Sequence, residues 1–364
     1  MAAEQTGKTF EAYPMKGGDS VYSYANNSSY QRVGANAATR LIIEAVAEKL
    51  DVETFVSSHT FRIADLGCSV GPNTFFAVQN IIEAVQSKHQ CQEGLHSQLP
   101  EFQVLFNDHT LNDFNTLFAS LPPDRKYYAA GVPGSFYFRL FPNASLHFVY
   151  SSYAIHWLSK VPKLVVDKSS PAWNKGRIHC SNSEDEVGKA YEAQYVEDMA
   201  CFLHARAQEV VCGGLVALII TGRPNGILHS QTTQNIIYDL LGSCLMDMAR
   251  KGIINEEKVD SFNLPTYHMS PQELEAAVDR NGYFSIERME DLPLSTEVGT
   301  LPRSQLLTSH VRAALDGMIK AHFGDVILDE LFDLFRKKIE EEMPMIESGR
   351  TINFFALLRR KEMD

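Results

Sequence analysis

The sequence predicts an α/β fold with a mainly parallel sheet and a helical insertion before its last strand. Three observations carry this. From Ile63 to Ile220, apolar runs of strand length alternate with helical patterns, the order that builds parallel sheets. The run Ile63 to Leu66 breaks into a glycine turn, Asp65-Leu-Gly-Cys-Ser-Val-Gly-Pro-Asn73. A helical pattern with Phe75, Val78, Ile81, Ile82 and Val85 follows at once. Late in the chain, strand candidates at Tyr283 to Met289 and Ile352 to Leu358 flank a long helical stretch. This predicts antiparallel final strands with a helical cap between them.

Taken in order, residues 1–33 are polar and glycine-containing and read as a loop or short helix. They form either a surface arm or a segment that folds over a ligand. Ala38, Leu41, Ile42, Ala45 and Val46 mark an amphipathic helix. Ser87 to Pro100 reads as a loop, Phe102 to Phe106 as a buried strand, and Gly131 to Tyr137 as a turn-rich segment. Leu146 to Tyr150 is another strand candidate, and Lys160 to Ser183 is irregular. A helix holds Val196 to Leu203, Gly213-Gly214 breaks it, and Leu215 to Ile220 is a strand. Gln231 to Lys251 reads as helix. Ser270-Pro-Gln-Glu273 is a capping-box start, and Gly282 ends that helix. Val311 to Ile339 carries the later helical pattern.

Composition narrows the function. The net charge of -12 over 364 residues argues against nucleic-acid binding, which needs a basic footprint. No apolar run reaches the roughly 20 residues that span a bilayer. Six scattered cysteines without a C-x-x-C fit free thiols and a cytoplasmic location.

The glycine turn departs from the phosphate-cradling G-x-x-x-x-G-K-[ST] and from the dinucleotide G-x-G-x-x-G. It contains no lysine. An adenosyl ligand with an amino-acid tail fits it better than a triphosphate, with Asp65 accepting from an amine or hydroxyl. The same residues would also serve as an ordinary tight turn. Asp108 ends the second strand, where α/β nucleotide folds bind a ribose, although a turn or cap role is open too. Tyr153, His156 and Trp157 follow the carboxyl end of a strand, where ligands of such sheets sit.

Several motifs together resemble the plant SABATH methyltransferases. They are Met15-Lys-Gly-Gly18, Ser23-Tyr24, Asn27-Ser28, Gln31, the Asp65 to Asn73 turn, Phe106-Asn-Asp108, Gly131-Val-Pro-Gly-Ser-Phe136, Ser151-Ser-Tyr153 and His156-Trp-Leu158. The resemblance continues through Arg206-Ala-Gln-Glu209, Gly252 to Glu257 and His322-Phe-Gly324. It implies a Rossmann-like class I methyltransferase core with an inserted α-helical cap, commonly as a homodimer. On this basis the core comprises residues 1–165, 196–222, 283–292 and 351–364. The cap comprises 166–195, 223–282 and 293–350.

The resemblance further implies that S-adenosylmethionine contacts Tyr24, Cys68, Asn73, Asp108, His109, Ser135 and Phe136, with Lys16, Ser28 and Asp65 near its methionine end. Gln31, Tyr153, His156 and Trp157 would line the acceptor site. Residues matching Asn174, Asp260, Phe262 and Asn263 lie near a cation in some members, which implies a structural Mg2+ there. The implied reaction is methyl transfer to a small plant carboxylic acid, an iridoid acid such as loganate or a salicylate-, benzoate- or terpenoid-type acid. N-methylation of a xanthine-like heterocycle and a non-catalytic small-acid binder are the alternatives. A carboxylic acid of pKa about 4 is ionised near pH 7 and needs no base. Gln31 and Trp157 supply N–H donors that would hold it. Arg223, Thr266, Tyr267, His268, Met318 and Ile319 are further candidates for the acceptor wall. Thr266 stands where loganate enzymes carry glutamine.

Overall fold

The computed structural model describes residues 14–51, 60–93, 99–183, 185–293 and 301–362. Of the expected loop or arm over residues 1–33, positions 1–13 lie outside the described residues. A short helix, α1 (Tyr24–Asn27), precedes α2 (Ser29–Lys49). Then come β1 (Thr60–Leu66), α3 (Pro72–Glu93), β2 (Glu101–Asp108), α4 (Phe114–Ala119), β3 (Tyr128–Pro133) and β4 (Leu146–Ser152). α5 (Asp185–Glu209) leads into β5 (Val210–Gly222). After α6 (Thr233–Arg250), α7 (Glu256–Asp260) and α8 (Pro271–Asn281) the chain forms β6 (Phe284–Leu292). It closes with α9 (Arg303–Phe323), α10 (Leu328–Glu341), α11 (Met343–Ser348) and β7 (Ile352–Arg360).

The seven strands form one sheet in the order β3-β2-β1-β4-β5-β7-β6. β1 to β5 pair in parallel, and β7 runs antiparallel to both β5 and β6, as the sequence predicts. The order reverses between β1 and β4, so the carboxyl ends of these strands open a crevice for a ligand. The apolar stripes of α2 and α3 are buried, Leu41, Ile42, Val78, Ile81 and Val85 among them. Two apolar cores cover the two faces of the sheet. A third, with Leu241, Leu245, Leu315, Ile319, Leu331 and Phe335, joins α6, α9 and α10. The capping box of α8 is present: Ser270 Oγ accepts from Glu273 N, and Glu273 accepts from Ser270 N at 2.6 Å.

Several boundaries differ from expectation. α2 starts at Ser29 rather than near Ala38, because its first turns face a ligand cleft and carry Tyr30 and Gln31 instead of an apolar stripe. α3 continues through Ser87 to Glu93. Lys88 Nζ donates there to Ala47 O of α2, so side-chain bonding replaces apolar spacing in its last turns. α5 runs unbroken from Asp185, and β5 begins at Val210 and passes through Gly213 and Gly214. Gly213 takes φ 75° at the irregularity where β5 pairs with β4. β3 extends to Pro133, so the turn starts only at Gly134.

Candidate active site

The crevice at the switch point opens to solvent as a cleft lined from both the sheet and the helices that follow it. Asp65 sits buried at the end of β1, and Thr74 Oγ1 from the first turn of α3 donates to it. Burial pushes its carboxyl up to about 7, against the Thr74 hydrogen bond and with help from nearby Asp108. Gly67 follows with φ 81°. A Cβ there would lie 2.4 Å from Ala154 Cβ, so only glycine lets the β1 turn approach the β4 turn.

Asp108 ends β2. Its Oδ2 accepts from Ser69 N and its Oδ1 from His109 N, both at 2.7 Å. Each carboxylate oxygen retains acceptor capacity for a diol. Asn107 O takes both Gly67 N and Cys68 N, which joins the two ligand turns. Burial raises the Asp108 carboxyl and lowers the His109 imidazole, so His109 is a neutral wall. Burial, with Asp108 and Asp65 nearby, also raises the Cys68 thiol, which keeps it in the protonated form.

Of the expected cofactor residues, Tyr24, Asp108, His109 and Phe136 line the main cleft. Tyr24, Asp65, Cys68 and Asn73 line a smaller adjoining lobe. Lys16, Ser28 and Ser135 line neither. Lys16 pairs with Asp316 of α9 at 2.8 Å and fastens the arm to the cap. Ser28 accepts from Asn73 Nδ2, while Asn73 Oδ1 accepts from Arg32 Nε at 3.1 Å. Ser135 Oγ faces Tyr137 N at 3.4 Å.

Gln31, Tyr153, His156 and Trp157 converge on the same cleft, and Gln31 also reaches the smaller lobe. Gln31 Oε1 is buried and meets no partner among the described residues. Tyr153 holds φ 53°, and its hydroxyl is turned toward α2. A Cβ on Gly34 would lie 1.8 Å from that hydroxyl, so the glycine makes room for the ring. His156 stacks on His268 with centroids 5.5 Å apart. Burial lowers His156 to about 3 and His268 well below its usual value, so both are neutral.

The remaining acceptor candidates divide. His268 and Met318 line the cleft, whereas Arg223, Thr266, Tyr267 and Ile319 do not. Arg223 pairs with Glu273 at 2.8 Å, and Tyr267 Oη donates to the same carboxylate at 2.5 Å. Thr266 is fully buried against His179. Sequence reading missed Tyr30, Gln234, Tyr238, His310 and Ala314. A signal was present for some of them: His310, Ala314 and Met318 recur every four residues on α9, as do Gln234 and Tyr238 on α6.

The expected cation residues do not fit an ion. Asn174 Nδ2 donates to Asn263 Oδ1 at 2.7 Å, and that oxygen also faces Tyr191 Oη. Ser183 Oγ donates to Asn174 Oδ1, and Gly176 N donates to Asp260 Oδ1. The set is a hydrogen-bonded staple with one carboxylate, not the six to eight converging oxygens of a hard cation site. No group of three or more His, Cys, Asp or Glu suited to a metal occurs among the described residues. No described helix is long and apolar enough to cross a membrane.

A family model described as SAM dependent carboxyl methyltransferase matches residues 10–361. The loganic acid O-methyltransferase of Catharanthus roseus is 50% identical over 358 residues, covering 96% of this chain and 95% of its own. Farnesoic acid carboxyl-O-methyltransferase of Arabidopsis thaliana is 41% identical over 351 residues, covering 96% and 99%. A solved structure of loganic acid methyltransferase with SAH matches with TM-score 0.91 and 48% identity, covering 96% of this chain and 99% of that one. The switch-point cleft and these likenesses agree, and the chain belongs to the family of SAM-dependent carboxyl methyltransferases of plant specialised metabolism.

Proposed function

We propose that the chain methylates the carboxylate of a small hydroxylated acid held between Gln31 and Trp157. The observation that carries this is the acceptor half of the cleft. Around Tyr30, Gln31, Tyr153, His156, Trp157, Tyr238 and His268 the lining has no Lys, Arg, Asp or Glu among the described residues. A bound carboxylate then has the sulfonium of S-adenosylmethionine as its counter-charge. One carboxylate oxygen attacks the methyl carbon in line, the new C–O bond forms as the S–C bond breaks, and the sulfur leaves neutral. No proton moves. An imidazole held near 3, such as His156, is too weak a base to take the proton of a heterocycle N–H, which disfavours the xanthine alternative. The side chains contribute alignment and exclusion of water, worth roughly 7–11 kcal/mol in favourable cases.

The far wall argues for the hydroxyl. Asn235 Nδ2 donates to the carbonyl of His229 at 2.9 Å, so its Oδ1 must be the atom that faces His268 Nδ1 at 3.1 Å. His268 therefore carries its proton on Nδ1. Its Nε2 is an acceptor with no partner among the described residues. An acid that donates an O–H there satisfies it. The relatives named for loganic and farnesoic acid support a carboxylic acceptor. An iridoid acid such as loganate or a salicylate-type acid meets both requirements. A radiolabelled methyl-transfer screen tests this: hydroxylated acids should exceed their deoxy counterparts and xanthines in kcat/KM. Preference for a xanthine or for the deoxy acids overturns the reading.

We infer that the methionine end of the cofactor lies beside Asp65, which lines the smaller lobe. Its carboxyl, held near 7, is mostly protonated at about pH 6, and an adjacent ammonium favours the ionised form. Cofactor binding at about pH 6 is expected to release close to one proton, and affinity should rise toward about pH 8. Calorimetry in two buffers of different ionisation enthalpy reads this directly. Equal heats in both buffers would remove Asp65 from the cofactor's methionine end. A cytoplasmic homodimer is also proposed, with a sedimentation mass of twice 40.8 kDa as its test.

A further inference from the structure

We propose that Tyr137 is a positioning residue for methyl transfer: its hydroxyl sets the Trp157 end of the acceptor site against the Phe136 wall of the cofactor site. The proposal rests on the placement of Trp157 given above. Phe136 and Tyr137 are adjacent in the turn after β3, and both line the cleft. Tyr137 Oη donates to Trp157 O at 2.5 Å and lies 3.5 Å from Ile155 O. On its other side the Trp157 segment hangs on residues 265–267. Leu158 N donates to Pro265 O, Tyr267 N donates to His156 O, and Trp157 bridges Thr266. Tyr137 thus ties the acceptor clamp back to the cofactor side. Burial raises its phenol well above the usual range, so it remains a donor throughout the working pH.

The turn itself is anchored by Arg206 and Glu209, the α5 motif that the reaction does not otherwise use. Arg206 is wholly buried and donates to Phe136 O at 2.6 Å and Phe138 O at 3.0 Å. Its Nε donates to Glu209 Oε2 at 2.8 Å. Glu209 Oε1 accepts from Leu140 N at 2.5 Å and Phe141 N at 2.9 Å. Asn107, beside Asp108, donates to Gly134 O at 2.9 Å. The buried end of α5 therefore holds the turn through these hydrogen bonds, and one hydroxyl carries that position to Trp157. In-line transfer needs reacting atoms aligned at about 3–3.5 Å, and an ångström of misplacement can cost about 100-fold.

A double-mutant cycle of Tyr137→Phe and Trp157→Phe tests this, with kcat, acceptor KM and calorimetric cofactor stoichiometry measured for all four proteins. Tyr137→Phe is expected to lower kcat by about 10-fold or more with cofactor affinity and stoichiometry intact. In the Trp157→Phe background the same change should cost under about 2-fold, because the group it positions is gone. Equal losses in both backgrounds overturn the proposal. So does wild-type kcat in Tyr137→Phe, or a lowered stoichiometry with kcat per bound cofactor unchanged. Wild-type turnover by Trp157→Phe alone overturns the Trp157 clamp, and the proposal with it.

Discussion

Gln31→Ala and Trp157→Phe are each expected to lower kcat/KM for the acid by about 10- to 100-fold, with cofactor affinity within about 2-fold of wild type. Each change removes one hydrogen bond to a charged oxygen, worth about 1.5–3 kcal/mol. The direction needs care, because the carboxylate loses charge as the ester forms. Donors that merely stabilised the anion would favour the ground state and slow transfer. Their benefit must lie in fixing which oxygen faces the methyl carbon. Losses should therefore appear in kcat as well as KM, and the double variant should lose less than the product of the two single effects. Steady-state kinetics with labelled cofactor, beside calorimetry, measures all three quantities. Wild-type turnover in both single variants would remove these residues from the acceptor site.

Arg206→Met is expected to destabilise the fold by about 3–5 kcal/mol. Both side chains of the Arg206–Glu209 pair are fully buried, so the change strands a carboxylate away from water. It also leaves Phe136 O and Phe138 O without their donor. A loss of this size is a large part of a typical 5–15 kcal/mol. Adding Glu209→Leu removes the stranded charge but leaves Leu140 N and Phe141 N without an acceptor. The double variant should therefore recover only part of the loss. Urea unfolding resolves these differences, and a midpoint for Arg206→Met equivalent to less than about 1 kcal/mol of change would contradict the role assigned to the pair.

Arg206 shows what a linear reading leaves out. The motif Arg206-Ala-Gln-Glu209 stood out in the sequence, yet its partners lie about seventy residues earlier, at Phe136 to Phe141. Gln31 shows a different limit. Its helical turn lacks an apolar stripe because it faces a cleft, so periodicity placed the start of α2 several residues late. Thr266 and Tyr267 neighbour the cleft-lining His268 in sequence, but their side chains are spent on His179 and Glu273. The expected cation residues did come together, but Asn174 and Asp260 bond to Asn263, Ser183 and Gly176, and Asn263 Nδ2 is left without a partner among the described residues.

The sequence by itself determined the parallel sheet with its antiparallel end, the glycine turn and the acid at the end of β2, and its resemblance to the plant SABATH methyltransferases implied the kind of reaction. These depend on local periodicity, on backbone freedom at a few glycines, and on motifs a few residues long. Only the tertiary structure decided which side chains face the ligand, which protonation and tautomeric states they hold, and what anchors the walls. Those properties arise from burial and from hydrogen bonds between residues far apart in the chain, and no short window of sequence contains either.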